Sequence, residues 1–188
     1  MKQLSLAIDL DRCIGCKTCV VACRNSHGLV DHENCMPGEI PFYLRVESER
    51  KGVYPNLSET SWVMPCQHCK NAACIKACKA EAIVKDAETG IVRILADRCT
   101  GGRDCIEACP YGVIQFDAGA GKAHKCDLCW DRVHMGEKPV CAEVCMTDAI
   151  RFGEKEILKM QLEAEGKEIV MKMSAQSMLY FRTPVEKP

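Results

Sequence analysis

The chain has 188 residues, enough for one domain or two small ones, and carries 25 Lys+Arg against 26 Asp+Glu. That near-balance excludes a strongly basic surface for polyanions and a strongly acidic one alike. Cysteine, at 16 residues, dominates the composition and leaves three chemistries to weigh: a disulfide scaffold, zinc sites or iron–sulfur clusters.

In chain order, the N-terminal stretch MKQLSLAIDLDRCIGC reaches its first C-x2-C by residue 16, with no basic segment ahead of an apolar one and no twin arginine. No run approaches the roughly 18 apolar residues of a membrane span. The chain as written is therefore expected in the cytoplasm, where structural disulfides are disfavoured.

Four cysteine groups follow. The first is Cys13, Cys16, Cys19 and Cys23, spaced C-x2-C-x2-C-x3-C. The second is Cys66, Cys69, Cys74 and Cys78, with gaps of x2, x4 and x3. The third is Cys99, Cys105 and Cys109, and the fourth is Cys126, Cys129, Cys141 and Cys145, with gaps of x2, x11 and x3. Only Cys35 stands outside them, with His32 near it. A cubane cluster needs thiolates converging from several directions, and a C-x2-C-x2-C loop wraps three around one centre. The x3 step opens a helix, so Cys19 and Cys23 lie about one turn apart on one face. The last thiolate then points away from its own loop, as it does in two-cluster ferredoxins. Zinc is the competing reading, since Cys66/Cys69 with Cys126/Cys129 would make a four-thiolate site. Zinc does not need third and fourth cysteines at such steps in group after group, so the pattern favours clusters.

The third group departs from its own repeat. DRCTGGRDCIEACP (97–110) overlays DRCIGCKTCVVACR (11–24), and Gly102 stands where the first copy has Cys16.

Between the groups the pattern predicts short hairpins. Apolar runs at 82–84 and 91–95 flank the turn DAETG, and GVIQFDAGAGKAHKC repeats the pattern around DAGAG. DAIRFGE follows the fourth group in the same way. Each cysteine loop thus leads to a short helix and then a strand, which is the ferredoxin unit in four copies. The span 31–64 is the longest insertion, with strands expected at PFYLRVES and SWVMP around a loop carrying Gly52 and Pro55. After residue 153 a charged, helical, cysteine-free tail is expected, in which Ile157, Leu158 and Leu162 grip a partner or cover the chain's own core. Trp62 and Trp130 are expected to pack beside the centres. His68 is expected to meet solvent or backbone. Lys17, Arg103 and Lys125 adjoin cysteines whose electrostatics they are placed to influence. No nucleophile–base set, phosphate loop or dinucleotide fingerprint occurs, so no substrate site is expected on this chain.

The stretches CIGCKTCVVAC, CQHCKNAACIKAC, CIEACPYGVIQF and KCDLCWDRVHMGEKPVCAEVC followed by TDAIRFG resemble the four-cluster iron–sulfur, electron-transfer subunit of the dimethyl-sulfoxide-reductase family of molybdenum/tungsten bis-pterin oxidoreductases. The resemblance covers roughly residues 5–155. It departs in three ways: only Cys109 is followed by proline (Pro110), Gly102 replaces a ligand, and the C-terminal tail is not diagnostic.

The resemblance implies an α+β fold of two nested bacterial-type ferredoxin-like modules, a tandem dicluster ferredoxin fold. The outer module would comprise 1–30 and 118–153 and the inner one 65–117, with a strand-rich insertion at 31–64 and a C-terminal helical tail at 154–188. It also implies cross-paired ligands. Cluster one would take Cys13, Cys16, Cys19 and Cys145, and cluster two Cys126, Cys129, Cys141 and Cys23. Cluster three would take Cys66, Cys69, Cys74 and Cys109, and cluster four Cys99, Cys105 and Cys78. Three centres would be [4Fe–4S]. The fourth would be [3Fe–4S], or a four-iron cluster with a non-cysteine ligand such as water or Asp104, or absent. The implied partner is a large molybdopterin or tungstopterin catalytic subunit lying nearest cluster one, with a membrane anchor or quinone-site subunit at the other end. Such subunits reach the periplasm on a partner's twin-arginine signal, which sets the alternative compartment. The competing functions are a free diffusing polyferredoxin, the small iron–sulfur subunit of a tungsten aldehyde oxidoreductase, and a zinc-binding interaction module. Free ferredoxins are strongly acidic, which this chain is not.

Overall fold

The computed structural model describes residues 2–29, 41–170 and 178–184. Strand β1 (Leu4–Asp9) leads into the first cysteine loop and helix α1 (Thr18–Ser26). A long antiparallel hairpin, β2 (Arg45–Lys51) and β3 (Ser58–Met64), follows, with Arg45 opposite Met64 and Lys51 opposite Ser58. Then come α2 (Ala73–Ala77), the hairpin β4 (Ile83–Lys85) and β5 (Val92–Ile94), α3 (Asp104–Glu107), and the hairpin β6 (Gln115–Asp117) and β7 (Lys122–His124). The last stretch holds α4 (Trp130–His134), α5 (Val140–Glu143), β8 (Ile150–Glu154), α6 (Lys155–Ala164), β9 (Glu168–Ile169) and β10 (Leu179–Arg182).

The two small hairpins sit where alternation and turn chemistry place them. In DAETG the Asp86 carboxylate accepts from the Thr89 amide at 2.7 Å and from the Thr89 hydroxyl, closing the turn from within. In DAGAG the Asp117 carboxylate accepts from the Ala120 amide at 2.9 Å. The insertion's strands also form, the first starting at Arg45 and running on to Lys51, past the expected end.

One four-stranded sheet, in the order β8-β1-β10-β9, organises the rest. Strand β1 is antiparallel to β8 and parallel to β10. Its alternation LSLAID puts Leu4, Leu6 and Ile8 on the face that meets Cys19, Cys23, Cys66, Cys126 and Cys141. Ala7 faces the other way, onto Leu158 and Leu162 of α6 and onto Leu179 and Phe181. Leu6, Ile8, Tyr180 and Phe181 are fully buried, each such side chain stabilising the fold by about 1.5–3 kcal/mol. Helix α1 packs on α5, and α2 on α3.

The tail corrects an expectation. Among its described residues it is helical over Lys155–Ala164, past which the chain returns to the sheet as β9 and β10. The contiguous run Met178, Leu179, Tyr180, Phe181 is apolar on both faces, and only a strand buried on both sides satisfies it. Leu158 and Leu162 cover this sheet, while Ile157 stays half exposed. Among the described residues, no helix is long and apolar enough to cross a membrane.

Candidate metal centres

All fifteen grouped cysteines are free thiols. Cys35 and His32 lie outside the described residues. The thiols gather around hollows, and each hollow draws on two groups far apart in the chain. Cys13, Cys16 and Cys19 line one with Cys145; the cavity inside is about 20 Å³, walled by Ile14, Val46, Val63 and Ile150. Cys66, Cys69 and Cys74 line a second of about 20 Å³ with Cys109, walled by Val92, Val113 and Ile114. Cys78 lines a third with Cys99 and Cys105; it is larger, about 340 Å³, and its rim carries Lys79, Arg103 and Asp104. The remaining four, Cys23, Cys126, Cys129 and Cys141, are all buried. Burial pushes Cys126 and Cys141 well above the ordinary thiol range, and the neighbouring Cys23 pushes both further.

The electrostatics mark these as sites built for cationic metal. Burial, followed by Cys145, Cys13 and Cys16, raises Cys19 to about 12. Burial raises Cys74 to about 11 against the opposing pull of Lys125. Thiols crowded in apolar hollows cannot ionise together unaided, and a bound cationic metal would supply the charge that makes thiolates of them.

A backbone signature recurs in all four loops. The residue just before the second cysteine position has a left-handed conformation: Gly15 (φ 68°), His68 (φ 42°), Gly101 (φ 77°) and Leu128 (φ 60°). His68 and Leu128 hold it at a cost of roughly 1–2 kcal/mol each. Successive amides in such turns point into the loop and favour an anionic guest. At Gly15 a side chain would also strike Ser61 Oγ at 2.9 Å, so the first loop lies tight against β3. The third loop keeps the conformation although Gly102 bears no thiol.

Around the thiols, His27 Nδ1 lies 2.9 Å from the Cys23 carbonyl and Nε2 lies 3.2 Å from Asp127 Oδ1, which also accepts the Cys129 amide at 2.9 Å. Lys125 is 3 % exposed, and its ammonium donates to the carbonyls of Val92 and, at 2.9 Å, Cys126. His68 is fully buried and its Nδ1 accepts the Val92 amide at 2.9 Å, so of the two expected surroundings it has the backbone one. Trp62 and Trp130 both pack against the cysteine-rich core, with the Arg93 guanidinium 3.5 Å above the Trp130 ring. Sequence reasoning passed over His27 and Asp127. Asp127 sits inside a C-x2-C loop, but its pairing with His27 spans 100 residues and leaves no local signal.

Comparison with known proteins agrees with this geometry. The 4Fe-4S dicluster domain family matches residues 60–155 and the 4Fe-4S binding domain family matches residues 5–25. The chain is 39 % identical over 158 residues to the B subunit of anaerobic dimethyl sulfoxide reductase of Escherichia coli (strain K12), covering 80 % of this chain and 73 % of that subunit. It is 32 % identical over 176 residues to the thiosulfate reductase electron transfer subunit PhsB of Salmonella typhi, covering 93 % and 88 %. It is 32 % identical over 171 residues to the formate dehydrogenase-O iron-sulfur subunit of Escherichia coli (strain K12), covering 84 % of this chain and 55 % of that subunit. The chain thus spans about half the length of the formate dehydrogenase subunits it matches. It belongs to the family of iron–sulfur electron-transfer subunits of the molybdoenzyme oxidoreductases, and it carries 4Fe-4S binding domains.

Proposed function

We propose that this chain carries electrons, through four iron–sulfur clusters, between a large molybdopterin or tungstopterin catalytic subunit and a second redox partner. The observation that carries the reading is the convergence of distant groups. Cys145 joins Cys13, Cys16 and Cys19 around one apolar hollow, and Cys109 joins Cys66, Cys69 and Cys74 around another of the same size. Those are the ligand sets of clusters one and three. Cys23, Cys126, Cys129 and Cys141 would hold cluster two, and Cys78, Cys99 and Cys105 cluster four. Among the described residues no three Cys, His, Asp or Glu side chains converge on a point suited to a single metal ion. The packing of α1 on α5 and of α2 on α3 supports nested outer (1–30 and 118–153) and inner (65–117) modules, with 31–64 as an insertion.

When bound, the clusters supply one-electron acceptors. The protein's own part is to exclude water with Val46, Val63, Val92 and Ile150, so that little solvent must reorganise as charge arrives. Cys16 is exposed, and Ile14 and Met146 beside that hollow are 63 % and 69 % exposed. Apolar side chains left in water around a redox site favour a permanent neighbour over a diffusing life. This end therefore faces the catalytic subunit, and the polar rim of Lys79, Arg103 and Asp104 faces a membrane-anchor or quinone-site subunit. Final residence in cytoplasm or periplasm follows the partner.

With three thiolates, the fourth centre is read as [3Fe–4S]. Iron analysis of the anaerobically purified complex tests the whole: about 15 irons per chain are expected, with the EPR signal of an oxidised three-iron cluster, and co-purification of a pterin-containing large subunit. About 12 irons would remove cluster four, and stoichiometric zinc with little iron would overturn the reading.

A further inference from the structure

Resting on that reading of a fourth cluster, we infer that the Asp104 carboxylate takes the place of the missing thiolate and reversibly binds a fourth, exchangeable iron. The third loop is folded as its three siblings are, with Gly101 left-handed before the position of the absent cysteine. A Cβ built on Gly102 would have one neighbour within 4 Å outside its adjoining residues, Asp104 Oδ2 at 3.2 Å. The carboxylate oxygen therefore lies in contact with the space a cysteine side chain at 102 would enter, 3.2 Å from its Cβ position. Asp104 lines the same hollow as Cys78, Cys99 and Cys105.

The two oxygens of Asp104 have separate duties. Oδ1 is held by the Lys79 ammonium at 3.1 Å, and the bond is at the surface, with Lys79 85 % and Asp104 41 % exposed. Oδ2 faces the Gly102 side. A carboxylate oxygen is a competent iron ligand but a harder one than thiolate, and this one shares its charge with an ammonium. It would therefore bind the fourth iron weakly enough to release it. Such a site accounts for a loop that keeps its shape without its cysteine, and for a hollow larger and more open than those with four thiols.

The exchange balances. A one-electron-reduced three-iron core, formally neutral, combines with Fe²⁺ to give a four-iron core of charge 2+, with no electron left over. The electron that first reduces the three-iron core comes from the complex's own donor or from dithionite. The fourth iron gains a bond to Oδ2 and loses water, while Lys79 stays on Oδ1. Release reverses the binding step when free Fe²⁺ is withdrawn by a chelator, giving back Fe²⁺ and the neutral three-iron core, which then loses one electron to a chemical oxidant such as ferricyanide.

The test uses the intact complex, oxidised anaerobically until the three-iron EPR signal is full, then reduced with dithionite and titrated with ferrous iron. Wild type is expected to take up one iron per chain and to lose the three-iron signal on reoxidation. Asp104→Asn and Asp104→Ala should keep the signal before titration, which shows the site folded, and should bind Fe²⁺ at least about tenfold more weakly. Lys79→Gln, at an exposed position, should bind it more tightly. The double variant Gly102→Cys/Asp104→Ala should already hold its fourth iron through the new thiolate, showing no three-iron signal and no further uptake. Equal uptake by wild type and both Asp104 variants, or a three-iron signal in wild type that ferrous iron never diminishes, would overturn the inference while leaving the fourth cluster in place. Absence of the three-iron signal together with about 12 irons before and after titration would instead overturn the reading of a fourth cluster.

Discussion

His27 Nε2 lies 3.2 Å from Asp127 Oδ1, tying the helix that carries Cys19 and Cys23 to the loop that carries Cys126 and Cys129. The contact crosses 100 residues of chain and, with the packing of α1 on α5 and the pairing of β1 with β8, brings the first and last cysteine groups together. Burial opposes the charged imidazolium, but hydrogen bonds with Asp127, Cys129 and Cys23 outweigh it and hold its pKa well above the ordinary value. Burial likewise raises the Asp127 carboxyl, but the hydrogen bond from His27 and its charge outweigh that and leave it below the usual range.

The pair should therefore stabilise the fold over a defined pH window. The His27 contribution is complete below its unfolded pKa of about 6.5 and declines as pH rises from there toward the raised folded value. The Asp127 contribution is complete above its unfolded value of about 4 and is lost as pH falls through the lowered folded value. His27→Gln should cost about 1.5–3 kcal/mol between those limits and less on either side. Thermal midpoints of the visible cluster absorbance, taken across pH for wild type and variant, check this. A difference that does not vary with pH would contradict it.

Lys125 places a buried cation beside the carbonyl of Cys126 and close enough to Cys74 to lower its pKa. A buried cation is expensive unless anions lie near; Asp127 feels its charge, and thiolate-bound clusters would supply more. Lys125→Met should lower the midpoint potentials of the clusters proposed to be held through Cys74 and Cys126. The shift should be on the order of tens of millivolts, from one charge at about 10 Å in an effective dielectric of about 20. Lys125→Arg should keep most of the wild-type potential. An EPR-monitored redox titration in which both variants match wild type would dismiss the charge as a tuning element.

On the proposed reading of the fourth centre as [3Fe–4S], Gly102→Cys should convert it from three irons to four. The backbone at Gly102 is outside the left-handed region, and the new Cβ requires Asp104 Oδ2 to give way by only a few tenths of an ångström, so the variant should fold. The three-iron EPR signal should vanish, and the added thiolate charge should lower the cluster's potential. Turnover with the natural partner should slow, while turnover with a dye that reaches the catalytic subunit directly should not.

Phe181 is fully buried and packs with Ala7, Leu158, Leu162 and Leu179 behind the sheet. Phe181→Ala should cost about 3–5 kcal/mol, enough to threaten a domain of this size. Tyr180 donates its hydroxyl to the Val63 carbonyl at 3.2 Å and accepts from Gln67 Nε2 at 3.1 Å, next to Cys66. Tyr180→Phe should cost only about 1 kcal/mol, because the ring's packing survives. Unfolding midpoints of the two variants rank them, and the reverse order would mean that the hydrogen bonds, not the burial, hold β10.

Several features are written in short stretches of sequence because their causes are local. The cysteine spacings, the break at Gly102 and the hairpins around Asp86 and Asp117 each depend on residues a few positions apart, so repeat and turn chemistry expose them. The strands β1 and β10 are not foreseen from the sequence, whose tail is expected to be helical; there they are only the short apolar stretches LSLAID and MLYF. Nothing in either says that they pair in parallel with each other, because that choice is made by α6 and by the face each must bury. The association of Cys145 with Cys13, or of Cys109 with Cys66, follows in sequence terms only from family resemblance; in the folded chain it depends on α1 meeting α5 and on α2 meeting α3. His27 with Asp127, and Asp104 Oδ2 beside Gly102, are likewise matters of tertiary structure. The chain alone determined how many thiols there are and in what local loops they lie. Packing of the distant segments decided which thiols share a hollow, since side-chain convergence over a hundred residues is set by burial and not by spacing.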